Sequence, residues 1–140
     1  MTLISPALGQ KFEGLKERFA SASRTEDLAT NKAEVRLIKD QNSEAKVRGF
    51  TLVQDEPESV WRTGKGPTPT DFFVTTIGLC ENVIFVRNAS LAGLSIDALE
   101  TVVTESWDRR GLFEIGGVSP FFQAITVETR VSTRDPVEKV

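Results

Sequence analysis

The chain has 140 residues, a formal net charge of -3, one cysteine, no histidine and no tyrosine. That length suits one domain with a single core, and the acidic balance leaves no electrostatic footprint for nucleic acid. Without histidine, Ser–His–Asp and Cys–His catalysis and His-based metal sites are removed, so no metal or other cofactor is expected and acid–base chemistry falls to carboxylates, Lys, Arg or the thiol.

Ser5-Pro6 reads as a cap followed by a first helical residue. Leu8, Phe12, Leu15 and Phe19 then recur at spacings of four, three and four, which predicts one apolar stripe on a helix of about four turns. It reads first as a docking helix for a sheet or a partner subunit, with a membrane-surface helix as the minor reading because its polar face is not strongly basic. Ser21 to Asn31 is rich in Ser, Thr and Asn and reads as a linker, so residues 1–31 form an N-terminal helical extension. The start also lacks the basic region and apolar core of a signal peptide, and one cysteine allows no internal disulfide, so the expected location is cytoplasmic.

From Lys32 the period changes to two. Ala33, Val35 and Leu37 alternate with Lys32, Glu34 and Arg36, and Asp40 to Ser43 supplies turn residues. A second run begins at Val47 and includes Phe50, Leu52 and Val53. Its alternation slips near Gly49, which predicts a bulge. The two runs predict an antiparallel hairpin, ended by Asp55-Glu56-Pro57-Glu58. Val60-Trp61-Arg62 then leads into a glycine-rich approach to the longest apolar run.

That run, Gly64 to Gly93, predicts the long helix of the fold. Thr68 suits the N-cap, Pro69 the first helical position and Asp71 the third, where its carboxylate answers the cap. Gly93 suits a left-handed stop. Between them Phe72, Phe73, Val74, Ile77, Leu79, Val83, Ile84, Phe85 and Val86 leave almost no polar face, so a helix from Pro69 to about Ala92 is expected to be buried. Asp71, Glu81, Asn82 and Arg87 interrupt it, so a membrane span is not expected. The strands are too few to cover such a helix, which predicts an obligate homodimer.

After Gly93 the strand period returns. Leu99, Thr101, Val103, Glu105 and Trp107 fall on one face and Ala98, Glu100, Val102 and Thr104 on the other; both are mixed, so an edge or partner-covered strand is expected. Asp108 to Gly111 is a turn, with Arg109 and Arg110 solvated. Leu112 to Pro120 is a loop. Phe121, Gln123, Ile125, Val127, Thr129 and Val131 mark the clearest strand. Asp135-Pro136-Val137-Glu138 repeats the start signal of a helix, and Asp135 is expected to cap a helix whose body lies beyond this sequence.

Three stretches carry a resemblance. Arg48 to Pro57 reads RGFTLVQDEP; Gly66 to Phe73 reads GPTPTDFF and leads to Ile77-Gly78-Leu79-Cys80; Asp108 to Leu112 reads DRRGL. Together they resemble the OsmC/Ohr family of small thiol-dependent peroxidases, in its OsmC-like branch, over residues 32–140. The resemblance implies an α+β fold in which antiparallel strands pack on a long buried central helix that carries the first cysteine. It implies an intertwined homodimer with sites at the subunit interface. It also implies reduction of organic hydroperoxides in oxidative-stress defence, with a dithiol as reductant. Cys80 matches the peroxide-attacking cysteine. The resolving cysteine of the family lies on a later helix, which would start near Asp135 and is absent here. Where the most active branch has a glutamate ten residues before the cysteine, this chain has Thr70, with Asp71 beside it. Arg62 and Arg48 are the candidates for the family's arginine.

Each of these residues has two readings. Cys80 is a peroxidatic thiolate, supported by Arg62 or Arg48, or an inert buried cysteine. Asp71 is catalytic or a helix cap. Trp61, Phe72 and Phe73 wall a substrate site for an apolar hydroperoxide or pack in the core or dimer. At the level of the whole chain, a thiol peroxidase stands against a non-catalytic OsmC-like domain that binds a small apolar ligand or partner at the dimer cleft.

Overall fold

The computed structural model describes residues 2–23, 28–60 and 62–140. In chain order they form α1 (Ala7–Ser21), β1 (Ala33–Lys39), β2 (Asn42–Val47), β3 (Phe50–Gln54), α2 (Pro69–Leu91), β4 (Ala98–Ser106) and β5 (Ala124–Ser132), with short 3-10 turns between them. The contacts divide the chain into two units, Ala22–Phe73 and Met1–Ser21 with Val74–Val140.

The unit of residues 22–73 is a three-stranded antiparallel sheet in the order β1-β2-β3. The expected hairpin is therefore a three-stranded meander. Arg48, at φ 56, and Gly49 form a two-residue turn between Val47 and Phe50, which pair directly. A reversal of direction breaks the alternation just as a bulge does, so the pattern alone did not separate them. The register irregularity lies instead between Leu37 and Lys39. The pairing aligns Ala33, Val47 and Phe50 in one row and Val35, Ala45 and Leu52 in the next, all on one face. That face is apolar and uncovered: Val35 is 69% exposed and Phe50 64%. Arg36 and Glu44 pair across the opposite face at 3.1 Å. Beyond β3 the chain returns beside its own strand. The Asp55 N–H donates to the Pro67 carbonyl at 3.2 Å, and a Cβ at Gly66 would stand 2.7 Å from the Val53 carbonyl oxygen.

In the other unit β4 and β5 pair antiparallel, from Ala98 opposite Ser132 to Ser106 opposite Ala124. Leu99, Thr101, Val103 and Glu105 are the half-buried positions of β4, and this face meets α2. Gly78 permits the approach, since a Cβ there would sit 3.4 Å from Val103 Cγ2. Two turns apart along the contact, Thr101 Oγ1 donates to Asn82 Oδ1 at 2.7 Å and Ala89 is buried with Ile4 and Ile96. Phe85, Leu94, Leu99 and Val131 pack around that small core. β5 begins at Ala124, later than the apolar alternation suggested; Phe121 and Phe122 belong to the preceding loop.

Both ends of α2 lie where the capping residues put them. Thr68 Oγ1 accepts from the Asp71 N–H at 3.1 Å, and the Asp71 carboxylate accepts from the Thr68 N–H at 2.8 Å. At the far end Gly93 takes φ 68, its N–H donates to the Ser90 carbonyl and the Leu94 N–H to the Ala89 carbonyl, a Schellman stop. The helix is long and apolar enough by length and composition to cross a membrane, but one such helix is weak evidence for a span and this one packs on a sheet.

Burial differs from expectation. Within the chain only Ala89 and Ser90 of α2 are fully buried, because two strands cover one side of a helix and no more. Asp135 differs as well. Its carboxylate accepts from the Ser95 N–H at 2.7 Å and the Ser95 hydroxyl at 2.8 Å, so it ties the segment after α2 to the end of β5 instead of serving as a helix cap. A short 3-10 turn, Val137–Lys139, comes after it.

The apolar stripe of α1 docks on the C-terminal end of α2 through Leu8 and a glycine contact. A Cβ at Gly9 would collide with the Ser90 carbonyl oxygen, whereas Gly14 faces open space. Gly9→Ala should therefore lower stability by about 1–3 kcal/mol through overpacking, and Gly14→Ala should raise it by up to about 1 kcal/mol through helix propensity. Urea denaturation of both variants checks the opposite signs; a matched gain in both would mean that α1 is not seated on α2.

Candidate functional site

Cys80 sits in the middle of α2. Two residues on from Gly78, it lies roughly 200° around the helix from the residue that meets Val103, and it is exposed. The thiol is thus on the side of α2 turned away from β4, not sealed in a core. The same face carries Thr76, Val83, Ile84 and Arg87 at the one-turn and two-turn spacings. Leu79 is 61% exposed and Val83 68%, so the cysteine is set in an apolar stripe open to the surface.

The other candidates fall in the unit of residues 22–73. Asp71 works in the capping box of α2, where its carboxylate also accepts from the Thr68 hydroxyl at 2.8 Å. Phe72 and Phe73 follow it in the first turns of the helix, Phe72 half-buried and Phe73 exposed. Arg48 is exposed at the tip of the β2–β3 turn and makes no ion pair among the described residues. Trp61 lies outside the described residues.

Arg62 is held fast. Its Nε donates to Asp55 Oδ1 at 3.1 Å and its Nη1 to Asp40 Oδ2 at 3.0 Å, and its side chain is 11% exposed. Asp55, at 0% exposure, is a buried organising residue that the sequence shows only as part of a strand terminator. Its second oxygen accepts from the Thr63 hydroxyl and from the Lys65 N–H at 3.3 Å. One buried carboxylate therefore gathers the end of β3, the loop of residues 62–65 and, through Arg62, the β1–β2 turn. The signal for it was present as a carboxylate followed by Arg62 and Thr63 seven and eight residues on, but nothing in the spacing separates a gathered loop from a solvated one. The Thr63 hydroxyl first, then the Lys65 and Glu56 backbone N–H groups and the Arg62 charge, outweigh burial and bring the Asp55 carboxyl down to about 2. Counting Asp40, the cluster holds two carboxylates against one guanidinium, so Arg62 is already neutralised.

Chemically the chain offers one surface thiol in an apolar stripe and one buried ion cluster that fixes an arginine. Among the described residues no cluster of Cys, Asp or Glu is arranged to hold a metal.

Neither a protein-family model nor a curated protein sequence matches the chain. A crystal structure of an OsmC-like protein from Mycoplasma pneumoniae matches it with a TM-score of 0.66 at 16% identity, over 79% of this chain and 74% of that one. At that identity the likeness establishes the fold: the chain has an α+β OsmC-like fold.

The Asp55 cluster predicts an acid sensitivity. A carboxyl held at about 2 in the folded chain, against 3.8 for the ordinary group, adds stability that is complete above pH ~4 and is lost as pH falls through about 2. Asp108, lowered to about 2 by the Arg110 side chain, shares that window, and Asp135, lowered by the Ser95 N–H, adds acid sensitivity of the same sign. Stability measured by urea titration from pH ~5 down to ~2 should fall, and Asp55→Asn should be less stable at neutral pH and flatter with acid. A variant whose slope matches the parent would remove Asp55 from the account.

Proposed function

We propose that the chain is a thiol-dependent reductase of organic hydroperoxides, cytoplasmic and acting in oxidative-stress defence, with Cys80 as the attacking residue and a second copy of the chain completing the site. The observation that supports this is the position of Cys80, exposed in an apolar face at the middle of the long helix of an OsmC-like fold. The Cys80 thiolate attacks the outer peroxide oxygen, the O–O bond breaks, and the leaving alkoxide takes a proton to give the alcohol. The cysteine is left as a sulfenic acid. With no second cysteine among the 140 residues, an external dithiol reduces it: one thiol condenses with loss of water to a mixed disulfide, and the other displaces Cys80 as a thiolate.

The reaction needs a cation to hold the thiolate. Arg62 is neutralised by Asp55 and Asp40, so on this reading Arg48 of the partner subunit supplies it from the tip of its turn. The uncovered apolar face of β1–β3 and the bare side of α2 are the surfaces that an intertwined homodimer would cover. The commitment of Arg62 to carboxylates also favours a second reading, a non-catalytic domain that binds a small apolar ligand or partner at the dimer cleft.

Consumption of cumene hydroperoxide with dithiothreitol separates the two. Cys80→Ser should fall to the background rate, and Arg48→Gln should lose roughly a hundredfold in rate with its fold intact. Unchanged turnover in Cys80→Ser would refute the peroxidase reading. Sedimentation at micromolar concentration should give the mass of two chains; a stable monomer would count against the shared site.

A further inference from the structure

We propose that the groove between α1 and the last turns of α2 binds a medium-chain carboxylate amphiphile, independently of Cys80. The groove has a volume of about 500 Å³ and is lined by Phe12, Leu15, Lys16 and Phe19 from α1 and by Arg87 and Leu91 from α2. That volume falls within the range of small-molecule sites, roughly 300–1,000 Å³. Its walls follow from helix spacing: residues 12, 15, 16 and 19 make one stripe of α1, and 87 and 91 are one turn apart on α2. The seat of Gly9 on the Ser90 carbonyl sets the two helices together near their junction, and the longer side chains of Phe12, Leu15 and Phe19 line the space beyond it.

The chemistry of the occupant follows from the charges. The floor is apolar and each wall carries one cation. Arg87 is exposed and makes no ion pair among the described residues. Among the described residues Lys16 pairs with Glu13 of its own helix, at 3.5 Å with both side chains half or more exposed, a bond that exchanges at little cost. In a chain of net charge -3, two cations, Lys16 and Arg87, line one apolar groove. A carboxylate can take the planar Arg87 guanidinium through two parallel bonds while its alkyl tail covers Phe12, Leu15 and Leu91. Covering the same groove with apolar side chains of a second copy would strand the Arg87 charge, which is costly. A small anion with a tail satisfies both the floor and the rim.

Isothermal titration of the full chain with decanoate and with decyltrimethylammonium, both below their micelle concentrations, tests this. Decanoate should bind once per chain and the cationic amphiphile at least about tenfold more weakly. Arg87→Gln should weaken decanoate about fivefold with an unchanged far-ultraviolet spectrum, Leu15→Asp should abolish binding, and Cys80→Ser should bind like the parent. Equal binding of the two amphiphiles, or no effect of Arg87→Gln, would overturn the proposal. So would a parent chain that ignores decanoate while Leu15→Asp halves the sedimenting mass, since the groove would then be a subunit interface.

Discussion

A helix of 23 residues, roughly 35 Å long, with apolar side chains nearly all round cannot be covered by one two-stranded sheet. That mismatch sets the terms for the rest of the molecule. β4 and β5 reach the side of α2 marked by Gly78, Asn82 and Ala89, and the capping residues at Thr68 and Gly93 fix where the helix begins and ends. What remains is a bare apolar side that includes Leu79, Cys80, Val83 and Ile84. The only thiol of the chain lies on the uncovered side, so its chemistry is bound up with whatever covers it. The sheet of β1–β3 has the same property. Its cross-strand rows place Val35, Phe50 and Leu52 on one open face, and uncovered apolar faces of this kind mark interfaces.

The second fixed point is the carboxylate of Asp55. A buried charge is tolerable only when it is paired and hydrogen-bonded, and Asp55 has a guanidinium, a hydroxyl and a backbone N–H. These partners come from residues 62–65, which otherwise have no regular structure to hold them. The same contacts that make the buried carboxylate tolerable tie down the approach to α2. They also consume Arg62, which from the sequence was a free candidate for the reaction.

What the sequence made legible and what it hid divide along a physical line. Local signals were readable: the Thr68–Asp71 box, the Gly93 stop, the period of β4 and the resemblance to the OsmC/Ohr family around Cys80. The caps and the strand period depend on residues within a few positions of each other, and the resemblance on three short stretches read as they stand. The rest depended on partners distant in sequence or on alternatives with the same local pattern. A turn at Arg48-Gly49 and a bulge there give one alternation break, so the meander read as a hairpin. Asp135 read as a cap because its true partner, Ser95, is 40 residues away. The apolar composition of α2 announced a need for cover but not whether this chain supplies it. Asp55 was invisible as an organiser because burial, not spacing, makes it one.

Thiolate formation at Cys80 is constrained by the same bare side of α2. The nearest cation on its own helix face, Arg87, is seven residues on, about 10 Å along the axis. A unit charge at that distance in water is worth roughly 0.4 kcal/mol. The helix N-terminus is about three turns away, beyond the reach of its dipole, which fades within the first turn. Arg62 brings no net positive charge, since Asp55 and Asp40 outnumber it. On the proposed reading, a second copy of the chain brings both the cation and a low-dielectric cover over the apolar stripe. The uncovered apolar faces favour that same proposed assembly on packing grounds, so one arrangement would meet the packing demand and the electrostatic demand together.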